Sequence, residues 1–180
     1  SDLAKHRPLG AAATFTSANS TIVYRGGLFG PDFVYNTFTS EPVYNVVHRR
    51  VLEPRGVTFR SLRPKSEAGV EFFRSSDAWC RPTGLRVGPN GGLYIADMYR
   101  EVIEHPEWIN DELEQQIDVR AGHDRGRIYR VAPVGEVRMP QPEFDKRSTT
   151  GLVGLLRTAN GWRRDIVHRM LIWRNDRTAI

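Results

Sequence analysis

A single cysteine, Cys80, stands in 180 residues, which excludes an internal disulfide, a CxxC redox pair, a cysteine zinc site and a CxxCH haem attachment within the chain. Between Trp79 and Arg81 it reads as a small buried hydrophobe rather than a reactive thiol. Long apolar runs are missing too: none approaches the ~20 residues that a membrane span requires. The N-terminus lacks the basic-then-apolar layout of a signal peptide, so any export signal is expected upstream of Ser1. There is no GxSxG elbow, P-loop, HExxH helix or GxGxxG turn, which removes the common hydrolase, nucleotide and zinc-protease signatures. Five histidines, at positions 6, 48, 105, 123 and 168, show no metal-ligand spacing.

Lysine is also scarce, since nearly all of the 26 basic residues are arginine; against 21 acidic residues they leave a net charge of +5. A polyanion partner would need those charges gathered on one face. They are scattered singly or in pairs such as Arg49-Arg50 and Arg163-Arg164, so no nucleic-acid partner is expected. With 39% hydrophobic and 26% charged residues, the chain can bury the core of one domain and part of a second.

What is present from Thr14 to Val131 is short strands and turns. Thr21 to Tyr24 is β-branched and aromatic and closes on Arg25-Gly26-Gly27. Phe33 to Thr39 alternates aromatic with small or polar residues, Glu41-Pro42 breaks the run, and Val43 to His48 resumes it. Val57 to Arg63 and Val70 to Phe73 form a further pair. Gly84 to Val87 leads through the turn Gly88-Pro89-Asn90-Gly91-Gly92 into Leu93 to Asp97, a strand, tight turn and strand of the kind propeller blades use. The spacing of Trp108, Ile109, Leu113 and Ile117 predicts a helical insertion over 106–120, opened by Pro106 and early carboxylates and closed by Gly122. Gly126 to Val131 returns to strand.

Prolines 133, 140 and 142 then mark an extended linker, placed at 133–146 between a first domain over 1–132 and a helical segment over 147–180. In that last segment Leu152, Leu155 and Leu156 share one helical face, and Ile166, Val167, Met170, Leu171 and Trp173 share another. Asn160-Gly161 separates the two helices, with Asn160 as N-cap. One helix pair cannot bury both faces, and eight or nine strands are too few to close a propeller, so both ends are expected to continue in a longer parent.

The ordered set Tyr24-Arg25-Gly26, Glu41-Pro42 with His48-Arg49, Ser76 to Pro82, Gly88 to Arg100, Ile103 to Ile109, Arg120 to Arg130 and Asn160 to Asp165 resembles the membrane-bound dehydrogenase-like propeller proteins, also described as PVC-type haem-binding proteins. It departs from their pattern at Cys80, where an aromatic is expected, at Met98, where Trp or Phe is expected, and at Asn90, where Asp is usual. The resemblance implies a fold that is mainly β with α: the C-terminal blades of a six-bladed β-propeller, related to quinoprotein glucose and sorbosone dehydrogenases, followed by a short HEAT-like helical repeat segment. It also implies a periplasmic or otherwise extracytoplasmic protein that oxidises a sugar or alcohol and passes electrons to a c-type cytochrome domain of the same parent. The haem lies outside this fragment.

Such chemistry requires cations for an anionic quinone such as PQQ, oxygen ligands for calcium, and a base for the alcohol proton. Arg81, Arg125 and Arg127 are the candidate clamps, Asp77 and Asp97 the candidate metal ligands, and His105 the candidate acid or base. Each also has a structural reading. Asp97 ending a strand caps a turn, Arg81 stacks on Trp79 or pairs with Asp77, Tyr99 and Trp108 pack, and Arg125 and Arg127 tie the insertion down. The rival from another class is a non-catalytic propeller and solenoid that binds polysaccharide or protein partners.

Overall fold

The computed structural model describes residues 14–103, 106–136 and 142–177; the candidate base His105 falls outside them. The chain is mainly β, with strands β1 (Thr21–Val23), β2 (Thr37–Glu41), β3 (Val46–Arg55), β4 (Thr58–Leu62), β5 (Phe73–Arg74), β6 (Pro82–Val87), β7 (Leu93–Asp97) and β8 (Arg127–Val131). They form two antiparallel sheets, one ordered β1-β2-β3-β4 with β5 also on β3, the other β6-β7-β8. Thr37 pairs with Arg50 and Glu41 with Val46, which fixes the β2–β3 register.

Three expected elements differ. Val57 to Arg63 and Val70 to Phe73 do not pair with each other: β4 and β5, the latter only Phe73–Arg74, both pair with β3. Phe33 to Asn36 is not strand: a 3-10 turn at Pro31–Phe33 is followed by Tyr35 at φ 63°, and the buried Asn36 amide donates to the carbonyls of Asp32 and Val34. Side-chain bonding to nearby backbone outcompetes the ladder there. The helix expected over 106–120 shrinks to a 3-10 turn, Pro106–Trp108, and the four-residue α1, Asp111–Glu114. Its carboxylates have no basic partner one turn on, and so short a piece gains few hydrogen bonds for the cost of nucleation. Ile109 is buried there, whereas Trp108 is 79% exposed and does not pack.

Backbone contacts divide the chain into two compact units. The first comprises, of the described residues, 14–22, 37–85 and 95–129. Phe38, Val46, Val47, Cys80, Leu85 and Ile95 are buried in it. Each such side chain withdrawn from water contributes about 1.5–3 kcal/mol. Several polar groups of this unit are paired: Arg49 with Glu67 at 2.9 Å, His48 Nδ1 with Glu71 at 2.7 Å, and Arg63 with the other Glu71 oxygen.

The second unit comprises 23–36, 86–94 and, of the described residues, 130–136 and 142–177. Its helices α2 (Thr149–Leu155) and α3 (Gly161–Arg174) enclose Phe144, Leu152 and Val167, with Trp162, Ile166, Met170 and Leu171 packed around them. Ser148 Oγ caps α2, and Asn160 Oδ1 caps α3 by accepting from the Trp162 and Arg163 amides. The sequence motifs meet here. Tyr24 Oη donates to the Gly91 carbonyl at 2.6 Å, Arg25 forks onto Asp165 at 3.0 and 3.1 Å, and the Gly161 amide donates to the Arg25 carbonyl at 2.6 Å. Asn160 Nδ2 and Arg163 Nε both donate to the Pro89 carbonyl. A Cβ on Gly26 would strike the Gly91 carbonyl and the Tyr24 ring, so that position requires glycine.

Candidate ligand-binding site

Strands β7 and β8 place the expected site residues side by side in the first unit. Along β7 the side chains alternate, burying Leu93, Ile95 and Asp97. Along β8, Arg127 and Tyr129 sit two residues apart and therefore on one face, and both reach Asp97: Arg127 Nε at 3.4 Å and Tyr129 Oη, donating, at 3.3 Å to the same Oδ2. The other oxygen, Asp97 Oδ1, accepts the main-chain N–H groups of Arg81 at 2.7 Å and Tyr99 at 2.9 Å. The side chain of Asp97 has no exposed surface, so a carboxylate with this many donors is anchored rather than open.

Cys80 lies beside this carboxylate. Burial first, and then the neighbouring Asp97 charge, push its thiol up to about 11; burial likewise lifts the Tyr129 phenol to about 12, helped by Cys80 and Asp97. Both groups are neutral at physiological pH and serve as hydrogen-bonding partners within the cluster.

Arg81 points elsewhere. Its Nε, Nη1 and Nη2 donate to the carbonyls of Arg100 (2.9 Å), Pro42 (3.0 Å) and Glu101 (2.7 Å). Burial lowers its pKa, yet the guanidinium stays charged and staples three stretches of main chain. Of the expected clamps, it is the one whose nitrogens are already occupied.

Arg127 is different. Its guanidinium carbon stands 4.0 Å from the centroid of the Tyr99 ring, and Nη2 is 3.7 Å from Asp77 Oδ2. Both side chains keep surface in water, 40% for Arg127 and 41% for Asp77. Trp79 packs its ring 5.8 Å from that of Tyr99, and the Asp77 carboxylate accepts the Trp79 amide at 3.0 Å, holding the turn that presents the indole. Tyr99 itself sits at φ 52°, and Gly122 approaches it so closely that a Cβ would collide with its carbonyl. The result is a half-exposed patch of two aromatic rings, one cation and one carboxylate.

Four of the expected site residues, Asp77, Arg81, Asp97 and Arg127, thus share one neighbourhood. Arg125 stands apart in solvent, 3.9 Å from Asp124. The reading of Asp97 as a strand-end cap of backbone amides matches what the carboxylate does, whereas Arg81 neither stacks on Trp79 nor pairs with Asp77. Tyr99 as the platform under Arg127, and Tyr129 as a donor to Asp97, were not expected as site residues; the spacing of Arg127 and Tyr129 on one strand was the signal available for the second. The cluster offers a quinone or calcium a poor fit at Arg81 and Asp97, whose polar atoms are engaged by the protein. Among the described residues, no three His, Cys, Asp or Glu side chains converge as metal ligands do.

The sequence profile of a family described as a domain of unknown function, DUF7133, matches residues 2–135. No curated protein and no solved structure matches the chain.

Proposed function

The chain belongs to the DUF7133 family, and on that premise we propose that it is a sugar-recognising segment of a larger exported protein, its sheets being blades of a β-propeller and its helix pair the first of a HEAT-like series. The observation that carries the ligand class is the patch itself. Aromatic rings offer flat apolar faces to the C–H surface of a pyranose, while a carboxylate and a guanidinium beside them satisfy its hydroxyl groups in both donor and acceptor senses. Tyr99, Trp79, Arg127 and Asp77 supply that combination on partly exposed side chains. A polysaccharide presents the same chemistry repeatedly, which fits a scaffold as well as a soluble sugar.

Oxidation of the bound sugar or alcohol, with PQQ, calcium and an attached cytochrome, is the further step that resemblance to quinoprotein dehydrogenases adds. The polar atoms of Arg81 and Asp97 are engaged by the protein itself, which supports binding over catalysis for this segment, while Arg127 keeps exposed surface for an anionic cofactor. Titration of the protein with a panel of mono- and oligosaccharides, followed by tryptophan fluorescence and calorimetry, decides the matter. Saturable binding that Arg127→Ala and Asp77→Asn each weaken supports the reading. Absence of binding across the panel sinks it, and quinone binding that depends on Arg127 would move the assignment to the dehydrogenase.

A further inference from the structure

The β3–β4 hairpin of the first unit leaves the rest of its sheet. Strand β2 pairs with β3 over Val46 to Arg50, and β5 over Val46 and Val47, whereas Val51 to Arg55 pairs with β4. Every residue from Glu53 to Ser61 is exposed. A two-stranded ribbon exposed on both faces is marginal by itself. Its turn is well made: Gly56 takes φ 60° at the first central position of the two-residue loop Gly56-Val57.

The register sorts the arm into two unlike faces. Pro54 lies opposite Phe59 and Leu52 opposite Ser61, so Leu52, Pro54 and Phe59 share one face, with Val57 at the tip. Glu53 lies opposite Arg60 and Arg55 opposite Thr58 on the other face. Phe59 is 63% exposed and Val57 is fully exposed. Arg55 and Arg60 outnumber the single acidic residue of the arm, Glu53.

Pairing of the arm with a second copy is disfavoured by its own edges. Pro54 withholds an N–H from the outer edge of β3, and two antiparallel β4 edges centred on Arg60 would set like charges against each other. The unpartnered features are therefore the tip and the apolar face, with Arg55 and Arg60 on the opposite face close behind the tip. We propose that this arm enters an anionic lipid surface tip first, Val57 and Phe59 reaching the interfacial layer while Arg55 and Arg60, on the opposite face, meet lipid phosphates. Shallow entry of this kind needs no spanning helix, and no helix among the described residues is long and apolar enough to cross a membrane.

The test is co-sedimentation of the full chain with vesicles of phosphatidylglycerol, with phosphatidylcholine vesicles and soluble dextran sulfate in parallel. Binding to phosphatidylglycerol is expected, weakened roughly fivefold for each of Arg55→Gln and Arg60→Gln. The double variant Val57→Ser, Phe59→Ser should bind about tenfold more weakly or worse. All four positions are exposed, so each variant should show unchanged circular dichroism, and that check separates loss of binding from loss of fold. No binding by the unaltered chain overturns the proposal. So does binding that ignores the apolar pair, or equal affinity for dextran sulfate, which would make the partner a soluble polyanion.

Discussion

Asp97 and Arg81 are joined through the main chain and not by an ion pair of their side chains: Asp97 Oδ1 accepts the Arg81 amide at 2.7 Å, while the Arg81 guanidinium turns to the carbonyls of Pro42, Arg100 and Glu101. Two residues that suggest a cofactor clamp and a metal ligand thereby hold the loop between β5 and β6 and the segment after β7. Asp97→Ala removes an acceptor from two amides and should cost about 3 kcal/mol in urea unfolding. Asp77→Ala, at a partly exposed carboxylate, should cost about 1 kcal/mol or less. Equal losses would mean that Asp97 is not the anchor.

Arg81→Lys tests the same fastening from the cationic side. An ammonium cannot reach three carbonyls that a planar guanidinium spans, so the substitution should behave as a destabilising change of about 2–4 kcal/mol despite keeping the charge. A melting temperature indistinguishable from the parent's would show that the three bonds contribute nothing net.

The strand pattern was legible because alternation and turn chemistry are local. Leu93 to Asp97 and the turn Gly88 to Gly92 follow directly from side-chain period and from glycine at positive φ, as Gly91 shows at 86°. The helix pair and the Asn160 cap were legible for the same reason. The partners were not. Nothing in the sequence says that Tyr24-Arg25-Gly26 meets Gly91, Gly161 and Asp165, because those contacts span 67 to 140 positions. The insertion does not form the expected helix because hydrophobic spacing does not by itself give Trp108 a surface to pack against, and it stays 79% exposed. The patch was half legible: Asp77 and Arg127 stood out as charges, but the ring beneath Arg127 depends on Tyr99 adopting a left-handed backbone.

Cys80 should resist alkylation. Its side chain is fully buried and its pKa is pushed up to about 11, from the ordinary 9.0, chiefly by burial. That shift alone leaves roughly a hundredfold less thiolate near neutral pH. Iodoacetamide labelling followed by mass spectrometry should be at least a hundredfold slower in buffer than in urea. Rapid labelling of the folded chain would place the thiol at the surface.

Glu71 should give the protein an acid-sensitive component of stability. Burial alone would raise its pKa, but the bonds from His48 and Arg63 outweigh that and hold it below the ordinary 4.5. A carboxylate whose folded pKa is depressed contributes stability that is complete above 4.5 and is lost as the pH falls through the lower folded value. Urea midpoints measured from about pH 5 down to about pH 3 should therefore fall more steeply for the parent than for Glu71→Gln, which has no proton to gain. Parallel curves would remove Glu71 as a cause.

Asn160 divides its side chain between two tasks, and two substitutions separate them. Its Oδ1 accepts the Trp162 amide at 2.9 Å as the cap of α3, and its Nδ2 donates to the Pro89 carbonyl at 3.0 Å. Asn160→Asp keeps the cap, adds a negative charge where a helix N-terminus favours one, and loses the donor. It also sets a carboxylate oxygen against the Pro89 carbonyl, so it should still destabilise, by about 1 kcal/mol. Asn160→Ala loses both bonds and should cost about 2 kcal/mol or more. If aspartate proved as stable as asparagine, the bond to Pro89 would carry no weight, and Arg163, which donates to the same carbonyl at 2.7 Å, would alone fasten the helix start to the Gly88–Gly92 turn.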